Sequence, residues 1–110
     1  MLDNLDTFRV GDLGFDFNTD LDGVWFEGTA QVAAAYKAID RNDSRAAPWL
    51  DRLRQVQDPG TGALPATNVE DLTTGFYLFD GTPWLYHQRP HIAATAWFVL
   101  AEIGVNPLAG

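Results

Sequence analysis

The stretch DGVWFEGTAQVAAAYKAID, Asp22 to Asp40, sets one carboxylate, Glu27, beside Trp25 and Phe26 at the head of a segment built mostly from Ala, Val, Tyr and Ile. Apolar flanks disfavour the charged form of a carboxyl group, so its pKa is expected to rise. That suits a general acid, a group that protonates a leaving oxygen such as that of a glycosidic bond. Hydrolysis of such a bond by two carboxyl groups needs a partner across a cleft, and Asp71, Glu70 and Asp22 are the candidates, Asp71 first among them. A structural role is the favoured reading for Glu27. A carboxylate in the first turn of a helix is stabilised by the helix dipole, and it can pair with Arg89 or accept backbone N–H bonds.

A second set of residues could hold a ligand rather than transform it. Between Asp58 and Pro90 the chain carries Phe76, Tyr77, Phe79, Trp84 and Tyr86, flat apolar faces of the kind that stack on sugar C–H groups, with Asp71, Gln88 and Arg89 as polar fixing groups. Trp25, Gln31, Tyr77, Trp84, Tyr86, Arg89 and His91 make up the candidate ligand-binding set. A lid packed on helix ends would use the same aromatics.

Two patterns could bind metal. NTDLDG, Asn18 to Gly23, places oxygen side chains at alternate positions before a glycine, as a calcium loop does, and makes Asn18, Asp20 and Asp22 the candidate ligands. Counted from Asn18, the twelfth position is Thr29 where a bidentate Glu is needed, so at most weak calcium binding is expected; turn and helix-capping chemistry accounts for the cluster without an ion. His87 and His91 are four apart, but Pro90 lies between them and biases its neighbour away from helix, so no zinc site is read there.

Three helices must position these groups. From Val24 to Ile39 the apolar positions cover nearly every angle of a 3.6-residue wheel, and His91 to Gly104 behaves the same way, with Pro90 and Gly104 at its boundaries; both are expected to be buried all round. Ser44 to Gln57 puts Trp49, Leu53 and Val56 on one stripe and Arg45, Asp51, Arg52 and Arg54 on the other, an outer helix with Pro48 in its first turn. The two apolar segments share a local pattern, GTAQV at Gly28 and ATAWF at Ala94, offset by 66 residues. The reading is one all-α unit over residues 1–110, with an irregular segment at 1–22 and a long aromatic loop at 58–90. A chain of 110 residues cannot surround two fully apolar helices, so further chain or a second copy is expected to cover them.

Composition narrows the partners. Seven Lys and Arg against fifteen Asp and Glu give a net charge of -8, which repels nucleic acid and anionic membrane surfaces. The chain has no cysteine, which excludes disulfides, thiolate metal sites and Cys nucleophiles. No apolar run spans a bilayer. MLDNLDTFRV lacks the basic and apolar regions of a signal peptide, and no compartment is read from the chain.

GVWFEGTAQVAAAYKAID, TTGF from Thr73 and HIAATAWFVLAEIGVNPLAG together resemble the C-terminal hairpins of bacterial α/α-toroid proteins of the six-hairpin glycosidase type, over most of the chain after about Phe15. The resemblance implies helical hairpins forming part of a toroid, with parallel inner helices whose N-terminal ends face a loop-lined mouth. Glu27 would then face a cleft near His91 and the long loop, and the chain would bind or hydrolyse carbohydrate. A non-catalytic helical packing or assembly module, docked on the rest of a larger chain or forming a homo-oligomer, is the alternative.

Overall fold

The 58–90 stretch departs most from that expectation. LTTGFY and PWLY are rich in β-branched and aromatic residues, and Asp80-Gly81 between them is a strong turn signal, so the chain doubles back as a hairpin instead of crossing as a loop. Leu72 pairs with Tyr86, Thr73 with Leu85 and Tyr77 with Pro83, and the turn is closed by Leu78 N–H donating to Thr82 O (2.7 Å) and Gly81 N–H donating to Leu78 O (2.9 Å).

The computed structural model describes residues 6–40 and 42–104. Its elements run β1 (Arg9–Val10), β2 (Gly14–Phe15), α1 (Phe26–Ile39), α2 (Ala47–Val56), β3 (Leu72–Tyr77), β4 (Pro83–Tyr86) and α3 (Ile92–Ile103). The strands form two separate two-stranded antiparallel sheets, β1-β2 and β3-β4. This is a mixed α/β domain, which overturns the all-α reading and the toroid resemblance that implied it. The VNPLAG end of the resembling stretch lies outside the described residues. No helix among the described residues is long and apolar enough to cross a membrane.

The helices begin where the sequence places their signals. Pro48 occupies the first turn of α2, His91 caps α3 with its Nδ1 accepting the Ala94 N–H (3.1 Å), and Gly104 ends α3 in the left-handed conformation (φ 76°) that a side chain would resist. α1 packs against both other helices. Phe26, Ala30, Val32, Ala33, Trp49, Leu50, Leu53, Ala94, Phe98 and Ala101 form the core, joined by Phe15, Val24 and Leu64.

One extended segment, 64–68, holds the heads of α1 and α3 together. His91 N–H donates to Leu64 O (2.8 Å), Phe26 N–H to Ala66 O (3.0 Å), Ala66 N–H to Arg89 O (2.9 Å) and Val24 N–H to the Asn68 side-chain oxygen (2.7 Å). At the far end Lys37 Nζ donates to Glu102 O (3.1 Å), so α1 and α3 run parallel. The repeated Thr has a physical role at both heads. Thr29 Oγ1 donates to Trp25 O (2.9 Å) and accepts from Phe15 N–H (3.1 Å), while Trp25 N–H donates to Phe15 O (2.7 Å). Sixty-six residues on, Thr95 Oγ1 donates to His91 O (2.8 Å) and accepts from Leu64 N–H (2.9 Å), while His91 N–H donates to Leu64 O. Each threonine splices an extended strand onto the first turn of a helix.

α3 is not buried all round. Ile92, Val99 and Ile103 are 89%, 52% and 54% exposed and Ala96 is exposed with them, a stripe along the side turned away from α1. Two helices on one side and a hairpin at one end cannot cover its whole circumference.

Thr29→Val tests the splice. It leaves the buried Phe15 N–H without a partner and should lower unfolding free energy by about 1–3 kcal/mol, with Thr29→Ser largely restoring it. Urea unfolding of the three proteins measures this; a Val variant as stable as the parent would show that the hydroxyl is not a structural link.

Candidate functional site

An aromatic cluster forms where the helix heads meet the β3-β4 hairpin. Trp25 immediately precedes α1, in an extended conformation (φ -99°), and its ring lies flat along the first turn. Gly28 makes that possible: a Cβ there would stand 2.2 Å from Trp25 Cε3. Tyr86, at the end of β4, stacks on Trp25 with ring centroids 6.1 Å apart and planes 24° from parallel. Trp84 (6.4 Å), Phe17 (5.7 Å) and His91 (6.1 Å, edge-on) surround Tyr86. Trp84 is 49% exposed, and Phe76, edge-on to Phe17 (6.1 Å), is 58% exposed, so the cluster opens to solvent rather than closing as core.

Polar groups border it. Glu27 is half-buried, and Gln31 Nε2 donates to its Oε2 (3.3 Å) one turn along α1. Burial, and after it the Glu27 charge, pushes the Tyr86 phenol above its ordinary pKa and keeps it a hydrogen-bond donor. Because His91 Nδ1 is an acceptor in its capping bond, the ring proton lies on Nε2, available as a donor. Trp25 Nε1 is buried and makes no hydrogen bond with a described residue.

Of the residues singled out by sequence, Trp25, Glu27, Gln31, Trp84, Tyr86 and His91 come together here. Tyr77 is 70% exposed at the far end of β3, next to the turn. Arg89 is exposed, and its charge acts on Glu70. Asp71 lies at the other side of the hairpin, 3.0 Å from His87 Nδ1. The two carboxyl groups proposed for hydrolysis are therefore engaged with different partners. Phe17 was not singled out; no local pattern marks it, because only the fold brings it to Tyr86.

The side chains of the calcium-like stretch are tied to one another and to β3. Asp16 joins Asp20 and Asp22, their carboxylate oxygens within 4.8 Å of one another. Thr73 Oγ1 lies 2.5 Å from Asp20 Oδ2 and 2.7 Å from Asp22 Oδ2 and shares its one proton between them, and Thr73 N–H donates to Asp22 (3.1 Å), which staples the segment before α1 to β3. The Asn18 side-chain amide donates to Asp20 Oδ1 (2.6 Å). Thr29, at the twelfth position, is consumed by the helix splice. A count begun at Asp16 ends on Glu27, but that side chain is turned to Gln31 and Tyr86.

A cavity of about 630 Å³ lies elsewhere, against α2, lined in part by Arg9, Tyr36, Arg45, Trp49 and Arg52. Arg9 stacks over Trp49 (5.1 Å) and Arg45 over Tyr36 (4.5 Å), while their charges meet Asp12 and Asp43.

No protein-family model, curated protein or solved structure matches this chain. With the toroid overturned by the fold, carbohydrate binding and glycoside hydrolysis lose the resemblance that implied them, and the comparisons bear on neither.

The acidic staple makes stability depend on pH. Burial first, then hydrogen bonding to Asp20 and the charges of Asp22 and Asp20, push Asp16 from 3.8 up to about 7, against the Phe17 N–H that favours its ionised form. For Asp20 burial acts upward, but hydrogen bonds from Thr73, Asp16 and Asp22 outweigh it and hold the group at about 2. The folded chain thus keeps a proton on Asp16 that the unfolded chain releases near 4. The stabilisation from Asp16 is complete below about pH 4 and is lost as pH rises through 7, while that from Asp20 is present above about pH 4 and lost toward 2. Melting temperature should fall between pH 5 and 8, and Asp16→Asn should flatten the fall. A parent that melts higher at pH 8 than at pH 5 would contradict the assignment.

Proposed function

We propose that this chain is a binding module for neutral carbohydrate, with Trp25, Trp84 and Tyr86 as the stacking surface and Glu27, Gln31 and His91 as the groups that fix sugar hydroxyls. The observation that carries the reading is the exposed aromatic cluster bordered by a carboxylate, an amide and an imidazole donor. Sugar rings present apolar C–H faces and a rim of hydroxyls, and they need both kinds of contact at once. The net charge of -8 favours neutral over acidic sugars. Hydrolysis is not part of the reading, because Asp71 is engaged by His87 on the other side of the hairpin.

Calorimetric titration with neutral oligosaccharides, accompanied by tryptophan fluorescence, tests this. Trp84→Ala should weaken binding at least tenfold without changing the melting temperature by more than about 2 °C, since the ring is half exposed. Glu27→Gln should weaken it less, because the amide still hydrogen-bonds hydroxyls. If no neutral oligosaccharide binds at millimolar concentration, the carbohydrate reading is wrong.

A second reading is supported by the exposed stripe of α3. Its only charged residue, Glu102, is held by Arg54 (2.6 Å), so the stripe of Ile92, Ala96, Val99 and Ile103 is uncharged on a strongly acidic chain. Two copies can appose such faces without bringing charges together, which suits the alternative role of assembly module. Sedimentation velocity should show a dimer at tens of micromolar, and Val99→Glu should return the monomer. A parent that is monomeric at hundreds of micromolar would remove this reading.

A further inference from the structure

We infer that Glu70, Asp71 and His87 form a binding site for a divalent first-row transition-metal ion at the base of the β3-β4 hairpin. Asp71 immediately precedes β3 and His87 immediately follows β4, and the pairing of Leu72 with Tyr86 puts the two side by side. Their placement is set by strand register, not by chance meeting of long side chains. His87 Nδ1 lies 2.9 Å from Glu70 Oε1 and 3.0 Å from Asp71 Oδ1.

The hydrogen-bond count shows what the cluster lacks. A ring nitrogen carries at most one proton, yet two carboxylates converge on this one. A single N–H cannot serve both well, and their like charges face each other. A divalent cation supplies two positive charges at that point, and neutral imidazole with two carboxylates is a donor set suited to zinc, cobalt, nickel or manganese. Metal bonds of about 2.1 Å at a tetrahedral angle separate two donors by roughly 3.4 Å. The two separations from His87 Nδ1 need to open by only a few tenths of an ångström, the carboxylate oxygens already lie within 4.8 Å of one another, and the three side chains are 49–57% exposed. Water would complete the coordination on the solvent side. The charge of the chain works in the same direction, since -8 attracts cations to its surface. The acidic staple of Asp16, Asp20 and Asp22 is a separate cluster with no imidazole, and it is better suited to hard cations if to any.

The test uses protein stripped with EDTA, titrated with zinc chloride by calorimetry and with cobalt chloride by visible absorbance. One zinc per chain is expected, with micromolar affinity, and cobalt should give a ligand-field band. His87→Ala should weaken zinc binding at least tenfold. Asp71→Asn should do the same while keeping the left-handed backbone of this position (φ 58°), which Asn tolerates as well as Asp, so it serves if His87→Ala fails to fold. Asp20→Asn should leave zinc affinity within twofold of the parent. The inference is overturned if the parent takes up no zinc, if Asp71→Asn binds zinc as the parent does, or if Asp20→Asn is the substitution that abolishes binding.

Discussion

Buried backbone N–H and C=O groups must be paired, and in this chain the extended segment 64–68 meets that constraint for two helix heads at once. The first turn of a helix has N–H groups with no partner inside it. Here Phe26 N–H is taken by Ala66 O, while Val24, two residues ahead of α1, and His91, just ahead of α3, are tied to Asn68 and Leu64. Leu64, Ala66 and Thr67 are buried in consequence. Everything at the candidate site follows from this lacing. It brings the residue before α1 and the residue before α3 to the same end of the molecule, and those residues are Trp25 and His91.

The two threonine splices extend the same logic outward. Thr29 fastens β2 to the head of α1, and Thr95 fastens Leu64 to the head of α3, each with one hydroxyl that donates to a helix carbonyl and accepts from a strand amide. The strand behind Thr29 continues into Asp16 and the acidic staple, whose carboxylates reach Thr73 on β3. A continuous path of hydrogen bonds therefore runs from the first hairpin through α1 to the second. The aromatic cluster is the apolar filling between these polar ties. Phe17 and Trp25 come from one side of the path and Trp84 and Tyr86 from the other.

Legibility differed by element for physical reasons. Helix ends were readable because caps are local: Pro48, His91 after Pro90, and Gly104 act through their immediate neighbours. The length of the gap between helices suggests a loop at 58–90, whereas LTTGFY, PWLY and the Asp80-Gly81 turn carry the hairpin signal. The burial of α3 is not legible for a different reason. An apolar sequence states what a helix could bury, and the amount of covering chain decides what it does bury. Residue type alone suggests Asp71 as one of a catalytic pair; strand register joins it to His87 instead.

The sequence by itself determined three helices, with boundaries up to three residues off at Ser44 against Ala47, the absence of thiol chemistry, the acidic balance, and the recurrence of Thr29 at Thr95, since all of these depend on residue type and short spacing. It also marked Trp25, Glu27, Tyr86 and His91 as residues worth attention. Tertiary structure alone decided that the domain is mixed α/β, that Phe17 joins the aromatic cluster, that Asp16 completes the acidic staple, and that Glu70, Asp71 and His87 converge. Each of those outcomes depends on strand pairing or on packing between segments distant in the chain, and no local pattern encodes which distant segment will supply the partner.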